Sequence, residues 1–221
     1  MYRDFKNKRC NVKFSYDTYE IEDHPFLSYN IASHVKYLIV GTFPAEKSRR
    51  KFNFFYASET NLMWSLLLNI YGGCFNFQSG KEAVEERVKF LSENAIGMTD
   101  LLLKCYRKNK SSKDEDLYPI LWNDIFKILA KNTDINTLIL TSRTNICGAL
   151  GLFKTLFIQY DYPVLELEKN HLNVLEGEFQ FENRLIKVMV PYSTSKRLEK
   201  NSNTSFEKII EMYRYSFGIQ H

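Results

Sequence analysis

Two neighbouring stretches hold residue types suited to chemistry. The first is Gly41-Thr42-Phe43-Pro44, placed just after an apolar run. The second runs from Phe52 to Trp64 and contains Phe54, Phe55, Tyr56, Ser58, Glu59 and Asn61. Aromatic faces beside an asparagine amide make a receptacle for a planar heterocycle, because rings stack on it and the amide reads or polarises an edge. Trp64 and at least two of Phe52, Phe54 and Phe55 are expected in the core, with Tyr56 and Asn61 left for the receptacle. Gly41 permits close backbone approach and Pro44 stiffens the turn. The pattern is neither GxGxxG nor a P-loop, which argues against a dinucleotide or nucleoside triphosphate. No Gly-x-Ser-x-Gly elbow accompanies a Ser-His-Asp set, which argues against an α/β hydrolase of small molecules.

Metal chemistry finds little support. Cys10, Cys74, Cys105 and Cys147 are far apart with no CxxC pair, and His24, His34, His171 and His221 form no HxxxH or HExxH pattern. Neither a structural zinc nor a four-cysteine cluster has the close spacing it needs, so no metal and no other cofactor is expected. Net charge is +4, compatible with nucleic acid without requiring it. Basic residues gather in three segments: Lys47 to Lys51, Lys104 to Lys113, and Lys196 with Arg197 and Lys200. Each follows a predicted strand, and the carboxyl ends of parallel strands lie on one side of a sheet.

The elements that must position these residues alternate. Tyr37–Val40, Ala95–Met98, Thr137–Leu140 and Ile186–Val190 are short apolar runs bounded by turn residues, as in buried parallel strands. Helices are expected over Leu62–Ile70, stopping at Gly72-Gly73, and after a capping box of Ser79 and Glu82 with Val84, Val88 and Leu91 inward. Pro119 is read as opening a helix that carries Leu121, Ile125, Ile128 and Leu129. Asn145–Ile158 is a further helix, and Thr204 with Glu207 caps a last one with Phe206, Ile209, Ile210 and Tyr213 inward. This order predicts a three-layer α/β/α sandwich on a central, mostly parallel four-stranded sheet. The alternation between Val164 and Phe181 predicts a β-hairpin near 164–183 on the last strand. With 221 residues, 44% of them hydrophobic, one well-buried domain is expected over 35–221, with 1–34 as an arm packed on it. Lys108–Asp116 reads as a mobile surface loop. No apolar run is long enough to span a bilayer, and the N-terminus lacks a secretory h-region, so a cytoplasmic protein is expected.

In order along the chain, the motifs resemble those of the hypoxanthine-DNA glycosylases, a group within the uracil-DNA glycosylase superfamily. Gly41-Thr-Phe-Pro44, Lys47-Ser48-Arg49, Phe55-Tyr56 and Asn61-Leu-Met-Trp64 are similar to that family's first motif. Ile96-Gly-Met-Thr-Asp100 with Cys105 and Arg107, Trp122-Asn-Asp-Ile125, Thr141-Ser-Arg143, Val190-Pro-Tyr-Ser-Thr-Ser195 and Ser205-Phe-Glu207 follow in the family's order. The resemblance covers about residues 36 to 214. It departs from the family where a His-Pro pair is Ser58-Glu59 here and where a proline is Lys196.

The resemblance implies a uracil-DNA glycosylase-like fold and a monofunctional enzyme. Such an enzyme flips a deaminated or modified base from DNA and excises it hydrolytically, in repair or, with an altered base, in defence against phage DNA. It implies Asn61 as catalytic amide. The base pocket would draw on Gly41, Thr42, Phe43, Pro44, Phe55, Tyr56, Ser58 and Glu59. DNA contacts would come from Lys47, Ser48, Arg49, Arg143, Ser193, Thr194, Ser195, Lys196 and Arg197, with Leu198 or Tyr192 as a wedge. A catalytically inactive DNA-binding member would carry the same outline. DNA, double-stranded with a flipped base or single-stranded, is the expected partner of a monomer that meets the nucleoid and no membrane.

Overall fold

The computed structural model describes residues 17–26, 29–196 and 204–219. Among them the strands are β1 (Tyr19–Asp23), β2 (Tyr37–Gly41), β3 (Ile96–Asp100), β4 (Leu102–Lys108), β5 (Leu117–Trp122), β6 (Thr137–Leu140), β7 (Glu168–Lys169), β8 (Leu175–Phe181) and β9 (Arg184–Val190). The helices are α1 (Met63–Tyr71), α2 (Gly80–Glu93), α3 (Ile125–Lys131), α4 (Ala149–Gln159) and α5 (Phe206–Ser216).

Strands apolar on both faces are buried on both faces, and these make the centre of the molecule. The main sheet has the order β3-β2-β6-β9-β8-β7. Its first four strands are parallel, β8 adds antiparallel to β9, and β7 adds antiparallel to β8. The parallel four-strand centre is the one read from sequence. The expected hairpin is present as β7 and β8, and it extends the sheet to six strands because β8 pairs with β9 along its whole length. Alternate residues of each strand feed opposite cores. Leu38, Val40, Leu138, Leu140, Val188 and Val190 pack with Ile125, Phe126, Leu150 and Phe153 of α3 and α4. Ile39, Ile96, Met98, Ile139 and Met189 pack with Met63, Leu66, Leu67, Leu91, Ile209 and Tyr213 of α1, α2 and α5. The result is three layers, with carboxyl ends of four parallel strands along one rim. No helix among the described residues is long and apolar enough to cross a membrane.

A second, antiparallel sheet of order β1-β4-β5 stands beside this sandwich. It accounts for several departures from the sequence reading. Pro119 lies in β5, an edge strand, where its missing N–H costs no ladder bond. The helix after it starts only at Ile125, with the Asp124 carboxylate accepting the Lys127 N–H at 2.9 Å. Ser79 precedes α2 without making a side-chain cap bond. Helix α4 starts at Ala149, and Ser205, one residue past Thr204, caps α5. The basic segment Lys104–Lys113 belongs to this small sheet and its turn, where Lys104 pairs with Asp23, Lys108 with Asp17 and Arg107 with Glu22. It is neutralised locally and does not extend the rim of strand ends.

Candidate functional site at the carboxyl ends of the parallel strands

Strand register sets out the site. Gly41 pairs with Asp100 of β3, and Val40 pairs with Leu140, which brings Thr141 beside Gly41. The Thr141 N–H donates to Val40 O at 3.1 Å. A Cβ on Gly41 would stand on the Asp100 Oδ1 and 2.9 Å from the Tyr56 Oη. The glycine therefore makes room for a carboxylate and a phenol of this chain, a purpose different from the backbone approach read from sequence.

Asp100 is buried and accepts from His24, with Nε2 to Oδ2 at 3.0 Å. The tautomer follows from the other ring nitrogen: His24 Nδ1 accepts the Phe26 N–H at 3.2 Å, so the ring proton sits on Nε2. The pair is thus a hydrogen bond from a neutral imidazole. Tyr56 reaches the same place from the loop before α1, its backbone in the left-handed region at φ 52°. Its hydroxyl lies 3.2 Å from the Thr141 Oγ1. Burial, with the Asp100 charge adding, pushes this phenol well above its usual range. Asp114, on the short turn between β4 and β5, is partly exposed yet densely surrounded. Desolvation raises its carboxyl to about 6 even though the Ser142 and Thr42 hydroxyls hydrogen-bond it, and the charge of Asp100 adds to the rise.

Asn61 occupies the adjoining end of the rim. Its Oδ1 accepts the Met63 N–H at 2.9 Å and the Thr194 Oγ1 at 2.8 Å. A backbone N–H only donates, so the amide orientation is fixed and Nδ2 turns away from these partners. Leu62 N–H donates to Thr194 O and Lys196 N–H to Thr60 O, at 2.8 and 2.9 Å, and close an antiparallel bridge between Asn61 and Ser195. The segment after β2 and the loop after β9 are therefore one local structure. Ser193 and Ser195 are half-buried there and Lys196 is exposed, whereas Thr194 is buried and committed to Asn61. Arg197 and Leu198 lie outside the described residues.

Other residues named from sequence are placed elsewhere or otherwise engaged. Phe55 is 3% exposed inside a cluster with Phe26, Tyr29 and Phe54, and it offers no ring face to a ligand. Phe43 is buried against His24 and under the Arg107 guanidinium, and the Pro44 carbonyl accepts from Arg107 at 2.8 Å. Ser58 bonds Thr60 at 2.9 Å, and Glu59 faces solvent in an ion pair with Lys51. Lys47 and Arg49 are exposed on a 3-10 turn, but the Ser48 N–H and hydroxyl both donate to the Glu46 carboxylate, where a phosphate would have to compete. Arg143 is half-buried, donating from Nε to Val190 O and Pro191 O at 3.0 and 3.3 Å and from Nη2 to Asn173 O. It stacks on Tyr192 at 4.0 Å, and burial lowers its pKa. Its donors hold the β9 loop against the β7–β8 hairpin.

His24, Asp100 and Asp114 are the residues that sequence reasoning missed. Asp100 was legible as the acid that closes an apolar strand and the Ile96–Asp100 motif, though without a role; His24 and Asp114 come from segments without periodicity.

No family model and no curated protein matches the chain. Among solved structures it is similar to the solution structure of a Methanosarcina acetivorans protein described as a candidate uracil DNA glycosylase. The TM-score is 0.55 at 19% identity, over 86% of this chain and 94% of that one. At that identity the likeness speaks to architecture: the three-layer sandwich described above is a uracil-DNA glycosylase-like fold.

Proposed function

We propose that the chain is a DNA N-glycosylase, which receives a base rotated out of DNA and hydrolyses its glycosidic bond to leave an abasic site. The observation that carries this reading is the junction of Asn61 with the loop after β9, on a fold shared with a protein named for that activity. A base in the stack is inaccessible, so the nucleotide must enter the rim of strand ends. As the C1′–N bond breaks, negative charge develops on the departing base, and a fixed donor aimed at it lowers the barrier. Asn61 Nδ2 is that donor, pinned by the two bonds to its Oδ1. Tyr56 bounds the base pocket with Gly41 and Thr42. Ser193, Ser195 and Lys196, with Lys47 and Arg49, follow the phosphates.

The substrate is a deaminated or modified base. Glu59, one of the two residues that stand where the resembled family has His-Pro, turns outward into an ion pair with Lys51.

The test uses duplexes with a single uracil, hypoxanthine, xanthine or hypermodified cytosine, scored for alkali-labile abasic sites. Release from at least one duplex is expected, with Asn61→Ala slower by about 10²–10³-fold, as for loss of one charge-stabilising donor. Release that is unchanged in Asn61→Ala removes Asn61 from the chemistry, and no release from any duplex overturns the reading.

A further inference from the structure

Two carboxyl groups meet the same strand ends in unlike surroundings. Asp100 lies against Gly41 and accepts the Nε2–H of His24. Asp114 lies against Thr42 and Ser142, the residues next along β2 and beyond β6. Gly41 and Thr42 are consecutive, as are Thr141 and Ser142, so both groups converge on one point of the rim, where Tyr56 also feels both charges. Tyr213, fully buried and with no partner for its hydroxyl among the described residues, adds an unused polar atom on the Tyr56 side. Carboxyl pairs whose surroundings differ in this way divide acid from base work in hydrolases.

We infer that Asp100 is the general base and Asp114 the general acid of the excision step. The inference rests on the glycosylase reading and extends it beyond Asn61. As the C1′–N bond breaks, its electron pair goes to the base nitrogen, and protonated Asp114 gives its proton to the departing base. A water oxygen forms the new bond to C1′ and gives a proton to the Asp100 carboxylate. The base leaves with one hydrogen of that water's equivalent and the sugar keeps the hydroxyl; return of the proton from Asp100 to Asp114 through solvent resets the pair. His24 is a positioning residue, since its N–H fixes Oδ2 and leaves Oδ1 at Gly41. The groups facing Asp114 are Asp100 from β3, Tyr56 from the loop before α1, Cys147 from the loop before α4, and Glu115 of its own turn, with the Thr42 and Ser142 hydroxyls. Desolvation keeps Asp114 partly protonated near pH 6, the range in which an acid can both hold and release its proton.

Single-turnover release from the duplex panel, measured between about pH 4.5 and 8.5 for the wild type, Asp100→Asn and Asp114→Asn, tests the assignment. Each variant is expected to be slower by about 10²–10⁴-fold, and the wild-type rate to fall as pH rises through the Asp114 titration, a limb that Asp114→Asn lacks. Carboxyl NMR titration gives a readout independent of turnover: Asp114 titrates near 6 and moves down when Asp100→Asn removes its neighbour's charge. If Asp100→Asn fails to fold by circular dichroism, the Asp114→Asn rate and its pH profile decide. An active wild type with either folded variant within about threefold overturns the inference and spares the glycosylase reading. An inactive wild type overturns both.

Discussion

Asp114 carries a stability signature separate from any activity. Its carboxyl is raised to about 6 from an ordinary 3.8, chiefly by desolvation, so the fold favours the protonated form. That contribution is complete below about pH 4 and is lost as pH rises through about 6, with a size on the order of 2 kcal/mol. Urea unfolding at pH 4 and pH 8 should show Asp114→Asn gaining about that much on the wild type between the two values. Equal differences at both values would mean that Asp114 titrates as a solvated side chain. Gly41 works at the same scale in the opposite sense. Any side chain there displaces Asp100 and Tyr56 together, so the position is fixed by two neighbours distant in sequence.

At the scale of elements, Arg107 ties the small β1-β4-β5 sheet to the loop after β2. Arg107 is fully buried, donates to both Glu22 oxygens at 2.9 and 3.1 Å, and reaches the Pro44 and Ser111 carbonyls. Arg107→Leu leaves Glu22 and Pro44 O without their donor, and a loss of about 3–5 kcal/mol in urea unfolding is expected. Arg107→Lys recovers only part, since an ammonium cannot fork to Glu22. A loss below about 1 kcal/mol would show that the loop after β2 stands without it. The elements differ in how far they could be read from sequence for related reasons. The parallel strands were legible because residues such as Leu38, Ile39 and Val40 are apolar on both faces. The small sheet was not, because β1 is exposed at every residue but Glu22, β4 mixes Lys104, Arg107 and Lys108 with its apolar residues, and Pro119 suits a helix start as well as an edge strand. Asn61 stood out beside its aromatics, whereas the His24–Asp100 contact joins residues 76 positions apart, a pairing that no local pattern encodes.

For the whole molecule, charge is distributed less evenly than its total suggests. The basic residues of β4 are spent on Asp17, Glu22 and Asp23, while Lys47, Arg49 and Lys196 stay exposed near the rim. If DNA docks there, replacing Lys47, Arg49 or Lys196 by glutamine should each lower the slope of log K against log salt by roughly 0.9. Lys104→Gln with Lys108→Gln should leave that slope unchanged. Salt titrations of duplex binding decide, and a slope that follows the β4 lysines would put the DNA on the other sheet.

The Asn61–Thr194 bond has a consequence for assembly. It joins residues 133 apart and follows β9, the last strand to enter the parallel centre. Contacts of that separation form only after a large loss of chain entropy, so they come late in folding. During synthesis β3, β2 and β6 can pair before residue 184 is made, but the amide of Asn61 stays unanchored until Thr194 arrives. A chain interrupted between those points would hold most of the sheet without the Asn61–Thr194 bond, so the junction of the two loops closes only after Thr194 has been made.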